Sequence, residues 1–354
     1  MMEYTDAHMR RLWRLISAES VLYTEMITTN TLVRCDDPAR YLEADFSREE
    51  PLVLQLGGNE PATMRQATAL AVAYGYQEVN INAGCPSEKV SGSGCFGAAL
   101  MLEPDLLAEL ALSVGDALGR PATVKCRIGV NDADSYAGLS AFIDRVSTKG
   151  HVSHFVVHAR KAVLGAKFSP ADNRKIPPLK YDYVYNLVRD FPHLRFTING
   201  GINTLDDART HLAQGVHGVM VGRACVNAPF SWRHIDTALY GAHADPNHSR
   251  RDILADYAAY AQTQEDRHGR KLRSTLVKPV LQLFAGEPNG RLFRNHIDTN
   301  LRRTDLSVQE VLLQASACMW DEVLDLRAAD PPPTYLAPAE GRARPADVAA
   351  AAPE

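Results

Sequence analysis

An alternation limits most strongly how this chain can fold. Short runs rich in β-branched and apolar residues occur at Leu22–Met26, Leu52–Leu56, Val79–Asn82, Ala122–Arg127, His154–His158, Arg195–Asn199 and Gly218–Val221. Stretches of helical periodicity separate them, at Ala62–Tyr74, Pro104–Leu118, Tyr136–Lys149, Asp182–Asp190 and Leu205–Ala213. A strand and a helix in about 30 residues make one βα unit, and a series of such units builds a parallel sheet. Nearly every run ends on glycine or a polar side chain, as in Gln55-Leu56-Gly57-Gly58, His158–Lys161 and Asn199-Gly200-Gly201. A (β/α)8 barrel keeps its chemistry at the C-terminal strand ends and predicts this pattern; a doubly wound sheet would concentrate its glycines after the first strand. The expected fold is therefore α/β, a (β/α)8 TIM barrel. Seven strands are visible where a closed barrel has eight, and the chain opens on polar residues and a helix at Ala7–Ser17. The first strand is expected to be missing or truncated ahead of Met1.

The pattern changes after residue 242. Residues 249–328 hold four helical stretches and no strand (Arg251–Arg267, Arg273–Phe284, Arg291–Arg302 and Ser307–Leu326), which predicts a small all-helical domain beyond a catalytic barrel at 1–242. The Pro- and Ala-rich segment 329–354 is expected to be disordered. With 354 residues the chain exceeds the ~250–300 at which one core stops growing, consistent with two folded parts. Its 45% hydrophobic and 23% charged content excludes collagen-like, coiled-coil and disordered classes. No apolar run is long enough to span a bilayer and no signal-peptide core is present, so a cytoplasmic enzyme is expected, or an organellar one in a eukaryote. The six cysteines show no metal-site pairing and are expected to be thiols, with no metal bound. Residues 250–303 contain eleven Lys/Arg and six Asp/Glu, a balance of +5 in a protein of net charge -4. That asymmetry permits a polyanion partner on one face, although a solvated basic surface explains it equally simply.

Chemistry concentrates at the strand ends. Cys85 follows the third strand in a glycine-rich loop, where a thiol can act as nucleophile or proton donor; a buried structural cysteine is the plain alternative. Cys95 in the same loop is a rival, whereas Cys126 should point to the opposite face of its strand. Lys125 and Arg127 share one face of the fourth strand, and a lysine pointing into a barrel calls for an anion or an electron-rich ring to receive it. His158 ends the next strand. Asn199-Gly200-Gly201 and Gly222-Arg223 follow the last two strands, the positions at which such barrels cradle a phosphate. From the residues alone the chain is a barrel enzyme for a phosphorylated flat cofactor, ringed by Gln55, Lys125 and His158 and faced by Cys85.

The segments MMEYTDAHMRR, YTEMITTN, LQLGGNEP, NINAGCPSEKV, VKCRIGVNDADSY, HARKAVLGAKFSPADNRKIPPL, RFTINGGI and GVMVGRA, in this order, closely resemble the tRNA-dihydrouridine synthase family, specifically the branch acting on U20 and U20a of the tRNA D-loop. The resemblance covers the whole barrel and, more weakly, the helical part. It implies FMN-dependent, NADPH-driven reduction of uridine to 5,6-dihydrouridine, with hydride reaching uracil carbon 6 from reduced FMN and a proton reaching carbon 5 from Cys85. It implies FMN contacts from Met1, Met2, Gln55, Lys125, His158, Asn199, Gly200, Gly201, Gly222 and Arg223, and tRNA contacts from Asn82, Arg127, Asn173, Arg174, Lys175, Arg291 and Arg294. The target uridine must leave its stack to enter a barrel mouth, and a monomer gripping tRNA through its helical part is expected. The chain departs from the family in lacking the first strand and the proline before the two methionines, and in one extra residue within Ser91–Gly94. Two other readings fit the same residues: an FMN barrel that reduces a free pyrimidine, like a dihydroorotate dehydrogenase, or a tRNA-binding protein without catalysis.

Overall fold

The computed structural model describes residues 1–87, 90, 95–165 and 168–331. Seven strands, β1 (Leu22–Thr28), β2 (Leu52–Gly57), β3 (Val79–Ala83), β4 (Thr123–Arg127), β5 (His154–His158), β6 (Arg195–Asn199) and β7 (Gly218–Met220), form one parallel sheet in sequential order. Helices Pro61–Ala73, Pro104–Leu118, Tyr136–Gly150, Tyr181–Asp190 and Leu205–Leu212 return the chain between strands. The alternation in the sequence thus marks the elements to within two residues at most ends. Curvature follows from contacts that skip a strand: Lys125 on β4 donates from Nζ to Asn199 Oδ1 on β6 at 3.2 Å. Two (β/α)-barrel features are present, sequential parallel order and inward curl, with seven strands rather than eight. Among the described residues no strand pairs with the outer edges of β1 and β7. Residues 1–3 stand at the upper end of that opening: the Glu3 N–H donates to the Glu25 carboxylate of β1, and Met1 Sδ lies 3.1 Å from where a Cβ on Gly222 would stand.

The two faces of the sheet differ in polarity. Val79, Ile81, Val124, Cys126, Phe155, Val157, Phe196 and Ile198 join the main core beneath the helices. The alternating positions Asn80, Asn82, Thr123, Lys125, Arg127, His154, His158, Arg195, Thr197 and Asn199 therefore face the inside of the curl. Barrel interiors are commonly filled by aliphatic layers. This one is largely amide, hydroxyl and cation, which a fold tolerates only where each polar group is hydrogen-bonded or awaits a ligand.

The C-terminal part comprises helices Arg250–His268, Gly290–Asn300 and Val308–Ser316 with shorter turns between them. Ser249 and Ser307 open their helices with capping boxes closed by Asp252 and Glu310. Two expected helices are shorter than their periodicity. Arg273–Val277 passes into a 3-10 turn at Lys278–Gln282, because Pro279 cannot continue the α-helical ladder. The fourth divides into Val308–Ser316 and Asp321–Asp325. The buried Arg273 ties the part together: it donates to Glu265 Oε1 at 2.9 Å and to the carbonyls of Leu301, Arg303 and Leu306, while Glu265 Oε2 accepts the Val308 N–H at 2.7 Å. The helices dock on the barrel through His8 Nδ1, 2.8 Å from Tyr260 Oη, and through Arg250, whose guanidinium lies 4.0 Å from the Phe230 ring centroid. The tail from residue 332 and the extra residue in Ser91–Gly94 lie outside the described residues.

Removing one partner of a buried ion pair strands the other, at a cost of about 3–5 kcal/mol. Arg273→Met is expected to lower unfolding free energy by about that amount in urea titration, and Arg273→Lys to recover little of it, since one ammonium cannot reach three carbonyls.

Candidate active site

The loop carrying Cys85 is held from three sides. Asn82, facing inward near the end of β3, turns its Oδ1 onto the next peptide groups and accepts the N–H of Gly84 at 3.1 Å and of Cys85 at 2.9 Å. The Cys85 carbonyl accepts the Ala98 N–H at 2.9 Å. Gly97, at φ +65°, has no room for a side chain, because a Cβ there would stand 2.6 Å from the Cys85 oxygen. Arg127 closes the third side: its Nε donates to Gly84 O at 3.0 Å and its Nη1 to Lys161 O and Asn173 O at 3.1 and 2.9 Å. The Cys85 thiol is half-buried, at the edge of the core and within electrostatic range of Lys125 and Arg127.

Beside it the inward face of β4 and β5 gathers positive charge. Burial, reinforced by Arg127, lowers the Lys125 ammonium from 10.5 to about 8. His158 is buried, and desolvation followed by Arg127, Lys125, Arg160 and Arg223 holds it well below 6.5, so its imidazole is neutral at physiological pH. Its Nδ1 is buried and, among the described residues, has no hydrogen-bond partner. Gln55 on β2 completes the ring; its Oε1 accepts from Asn82 Nδ2 at 2.9 Å and its Nε2 donates to Asn80 Oδ1 at 2.9 Å.

The ends of β6 and β7 meet through Asn199, whose Nδ2 donates to Met220 O at 2.7 Å. Gly200 and Gly201 follow at φ +110° and +76°, backbone that L side chains rarely adopt. Tyr181 Oη donates to Gly200 O at 2.8 Å and would stand 2.6 Å from a Cβ on Gly201, so both glycines are sterically required. Gly222 and the exposed Arg223 open the short helix Arg223–Asn227 alongside.

Gln55, Asn82, Cys85, Lys125, His158, Asn199, Gly200, Gly201, Gly222 and Arg223 thus come together on one side of the sheet, at its C-terminal edge. Met1 adjoins Gly222, and Met2 is exposed. Two expected tRNA contacts have another role here. Arg127 is 5% exposed with its guanidinium spent on three carbonyls, and Asn173 is fully buried, accepting the Val163 N–H at 2.7 Å and donating to Val163 O and Ser169 O. Both pin the loop after β5, Arg127 joining it to the loop after β3. Arg174 and Lys175 next to them are exposed. Cys126 is buried on the far face, its thiol pushed up to about 12 by desolvation, and Cys95 is exposed. In helix Gly290–Asn300, Arg291 is exposed and Arg294 half-buried; among the described residues neither forms an ion pair. Several of the cations in 250–303 are paired: Arg250 with Glu287 and Arg273 with Glu265 inside that range, and Arg251 with Asp321 and Asp325 and Arg303 with Asp305, acidic residues outside it that offset part of the +5 balance. Sequence reasoning passed over Tyr181 and gave Asn80 no role of its own. Asn80 carried a signal, since a polar residue two before Asn82 on a strand must share its face.

These residues fit an anionic, flat cofactor. The partnerless His158 Nδ1, the sheltered Lys125 ammonium and the two positive-φ glycines beside Arg223 supply a ring contact, charge and a close backbone approach. Among the described residues no group of three His, Cys, Asp or Glu side chains could hold a metal ion, and no helix is long and apolar enough to cross a membrane.

The family model "Dihydrouridine synthase (Dus)" matches residues 1–318. The chain is 40% identical over 327 residues to a tRNA-dihydrouridine(20/20a) synthase of Vibrio vulnificus, covering 91% of this chain and 96% of the relative. It is 42% identical over 328 residues to the protein of the same name from Xanthomonas campestris pv. campestris, covering 93% and 94%. A 2-naphthoyl-CoA reductase in complex with 2-naphthoyl-CoA shares the fold at TM-score 0.50 and 9% identity, covering 66% of this chain and 47% of that one.

A buried cation without its ligand penalises the folded state. Lys125 has its pKa depressed on folding, so the penalty is complete below about 8, fades as pH rises toward 10.5 and is gone above it. Lys125→Met is expected to raise the melting temperature of the cofactor-free protein at pH 7, with the gain shrinking between pH 8 and 10.5 in calorimetric scans.

Proposed function

The chain belongs to the dihydrouridine synthase family, and from that premise we propose that it reduces uridine to 5,6-dihydrouridine at positions 20 and 20a of tRNA, with bound FMN and with NADPH as electron source. The observation that carries the reading is the meeting of Cys85 with Lys125 and His158 at one strand-end mouth, beside the Gly200-Gly201 and Gly222-Arg223 loops. The names of the two curated relatives support tRNA as substrate over a free pyrimidine.

Met1, Gln55, Lys125, His158, Asn199, Gly200, Gly201, Gly222 and Arg223 would hold the FMN. Bound there, the flavin would supply hydride for carbon 6 of the uracil. Saturating the 5,6 bond also takes a proton at carbon 5, and Cys85 is the group we assign to deliver it. Lys125, charged below about 8, stabilises negative charge that develops in the mouth. Neutral His158 offers a hydrogen bond from a buried ring. Arg127 and Asn173 keep the Cys85 loop in place instead of touching RNA.

A uridine stacked in folded tRNA cannot reach this depth, so it must be extruded, and the grip on the remaining RNA falls to cations at least partly exposed. The exposed Arg174 and Lys175 beside the mouth, and on the helical unit at 249–328 the exposed Arg291 with the half-buried Arg294, are the candidates. Their contribution is electrostatic and salt-dependent. The activity is placed in the cytoplasm, with the protein acting as a monomer.

The purified protein is expected to show flavin absorption, and tRNA incubated with it and NADPH to gain dihydrouridine at 20 and 20a. Cys85→Ala should keep the flavin spectrum and lose at least about a hundredfold in dihydrouridine formation, the usual size of a general-acid contribution. Undiminished tRNA reduction by the variant rules out Cys85 as the acid. Reversing charge at Arg291 and Arg294 together should weaken tRNA binding and flatten its salt dependence while NADPH oxidation by the flavin stays unchanged; equal affinities at matched salt remove these arginines from the RNA surface.

A further inference from the structure

We propose that Asn80, supported by Thr123 beside it, is a positioning residue for the mouth: it sets which way the Gln55 amide points and, through Gln55 and Asn82, holds the backbone that carries Cys85. The observation is a continuous run of hydrogen bonds along the inside of the curled sheet. The N–H groups of Gly84 and Cys85 donate to Asn82 Oδ1 at 3.1 and 2.9 Å; Asn82 Nδ2 donates to Gln55 Oε1 at 2.9 Å; Gln55 Nε2 donates to Asn80 Oδ1 at 2.9 Å; Asn80 Nδ2 donates to Thr123 Oγ1 at 3.0 Å. The Thr123 hydroxyl donates to Val79 O at 3.4 Å.

The direction of every link is forced. Peptide N–H groups only donate, so Asn82 must turn its oxygen to the loop and its NH2 to Gln55; that demands the Gln55 oxygen, which leaves the Gln55 NH2 for Asn80. The same logic passes down through Asn80 and Thr123 to an acceptor at the base of β3. Reversing one amide would bring donor against donor at one of its ends and acceptor against acceptor at the other. Such chains strengthen cooperatively, and a gap in one is costly in a water-poor interior. Asn80 is fully buried and sits below Gln55 in the sheet, and it is paired in register with both Gln55 and Thr123. Residue identity at the base of the sheet therefore decides the presentation of two side chains and one loop at its top.

The significance of Cys85 here rests on the proposed function, so the test includes a measurement independent of flavin and tRNA. Alkylation of Cys85 by iodoacetamide is followed by mass spectrometry in flavin-free protein, with the exposed Cys95 as internal reference. Asn80→Leu keeps the side-chain shape and removes both links; it is expected to change the Cys85-to-Cys95 rate ratio by about threefold or more as the loop loosens. Thr123→Val should act in the same direction more weakly, and Thr123→Ser should restore the wild-type ratio. In flavin-loaded protein, Asn80→Leu is expected to lower kcat about tenfold with KM for tRNA unchanged, the signature of misplacement rather than lost binding. Melting curves establish which variants are folded, and if Asn80→Leu is not, the Thr123 pair decides. Wild-type alkylation ratios in the folded variants overturn the proposal. Wild-type protein that reduces no tRNA overturns the proposed function instead and leaves the alkylation result standing on its own.

Discussion

The constraint on which the rest depends is the presence of positive charge inside a curled sheet with little negative charge to meet it. Lys125, Arg127 and His158 share the inward face of two neighbouring strands, and the other charges that bear on His158 are those of Arg160 and Arg223. Two outcomes are physically open to such groups: give up the charge, or bind something that compensates it. His158 takes the first route. Arg127 takes the second within the protein, spending its guanidinium on three carbonyls and so welding the loops after β3 and β5 together. Lys125 has one amide oxygen, that of Asn199, and a lowered pKa. Of the three it is the one whose full stabilisation has to come from outside, which makes it the clearest pointer to an anionic ligand.

Much of this was legible in the sequence, and for a specific reason. Buried parallel strands are usually near-continuous apolar runs, but VNINA, TVKCR and RFTIN alternate with period two. Alternation in a parallel strand already says that its second face is not hydrocarbon, and in TVKCR it placed Lys125 and Arg127 on one face, opposite Cys126, before any coordinates. The glycine pairs after β6 and β7 were legible because positive-φ backbone close to a side chain leaves almost no other residue possible.

What stayed hidden depends on contacts distant in sequence. Nothing around Arg127 or Asn173 says that one would donate to the other's carbonyl across 46 residues, so their resemblance to RNA-contacting positions pointed outward whereas packing turned them inward. The charge count over 250–303 misled in the same way. Sequence shows the number of cations and not their partners, and Arg250, Arg251, Arg273 and Arg303 are matched by Glu287, Asp321, Asp325, Glu265 and Asp305. Proline at 279 was visible, but its effect on helix length required knowing that the segment would otherwise stay α-helical.

The two kinds of polar residue inside the sheet carry different loads. The amides at positions 55, 80 and 82 form a directed chain whose polarity is fixed from its ends, so they add order without net charge. The cations at 125 and 127 add charge, and only Arg127 is saturated by the protein. A site that must accept a planar anionic cofactor and a nucleobase in turn benefits from this division. The amide chain holds the thiol loop whether or not the pocket is filled, because none of its bonds needs a ligand. The protonation of Lys125 responds to a ligand, because its pKa of about 8 leaves it charged yet closer to release than an ordinary lysine. An incoming anion raises that pKa and secures the charge, so occupancy of the mouth and protonation of Lys125 are linked by the same free energy.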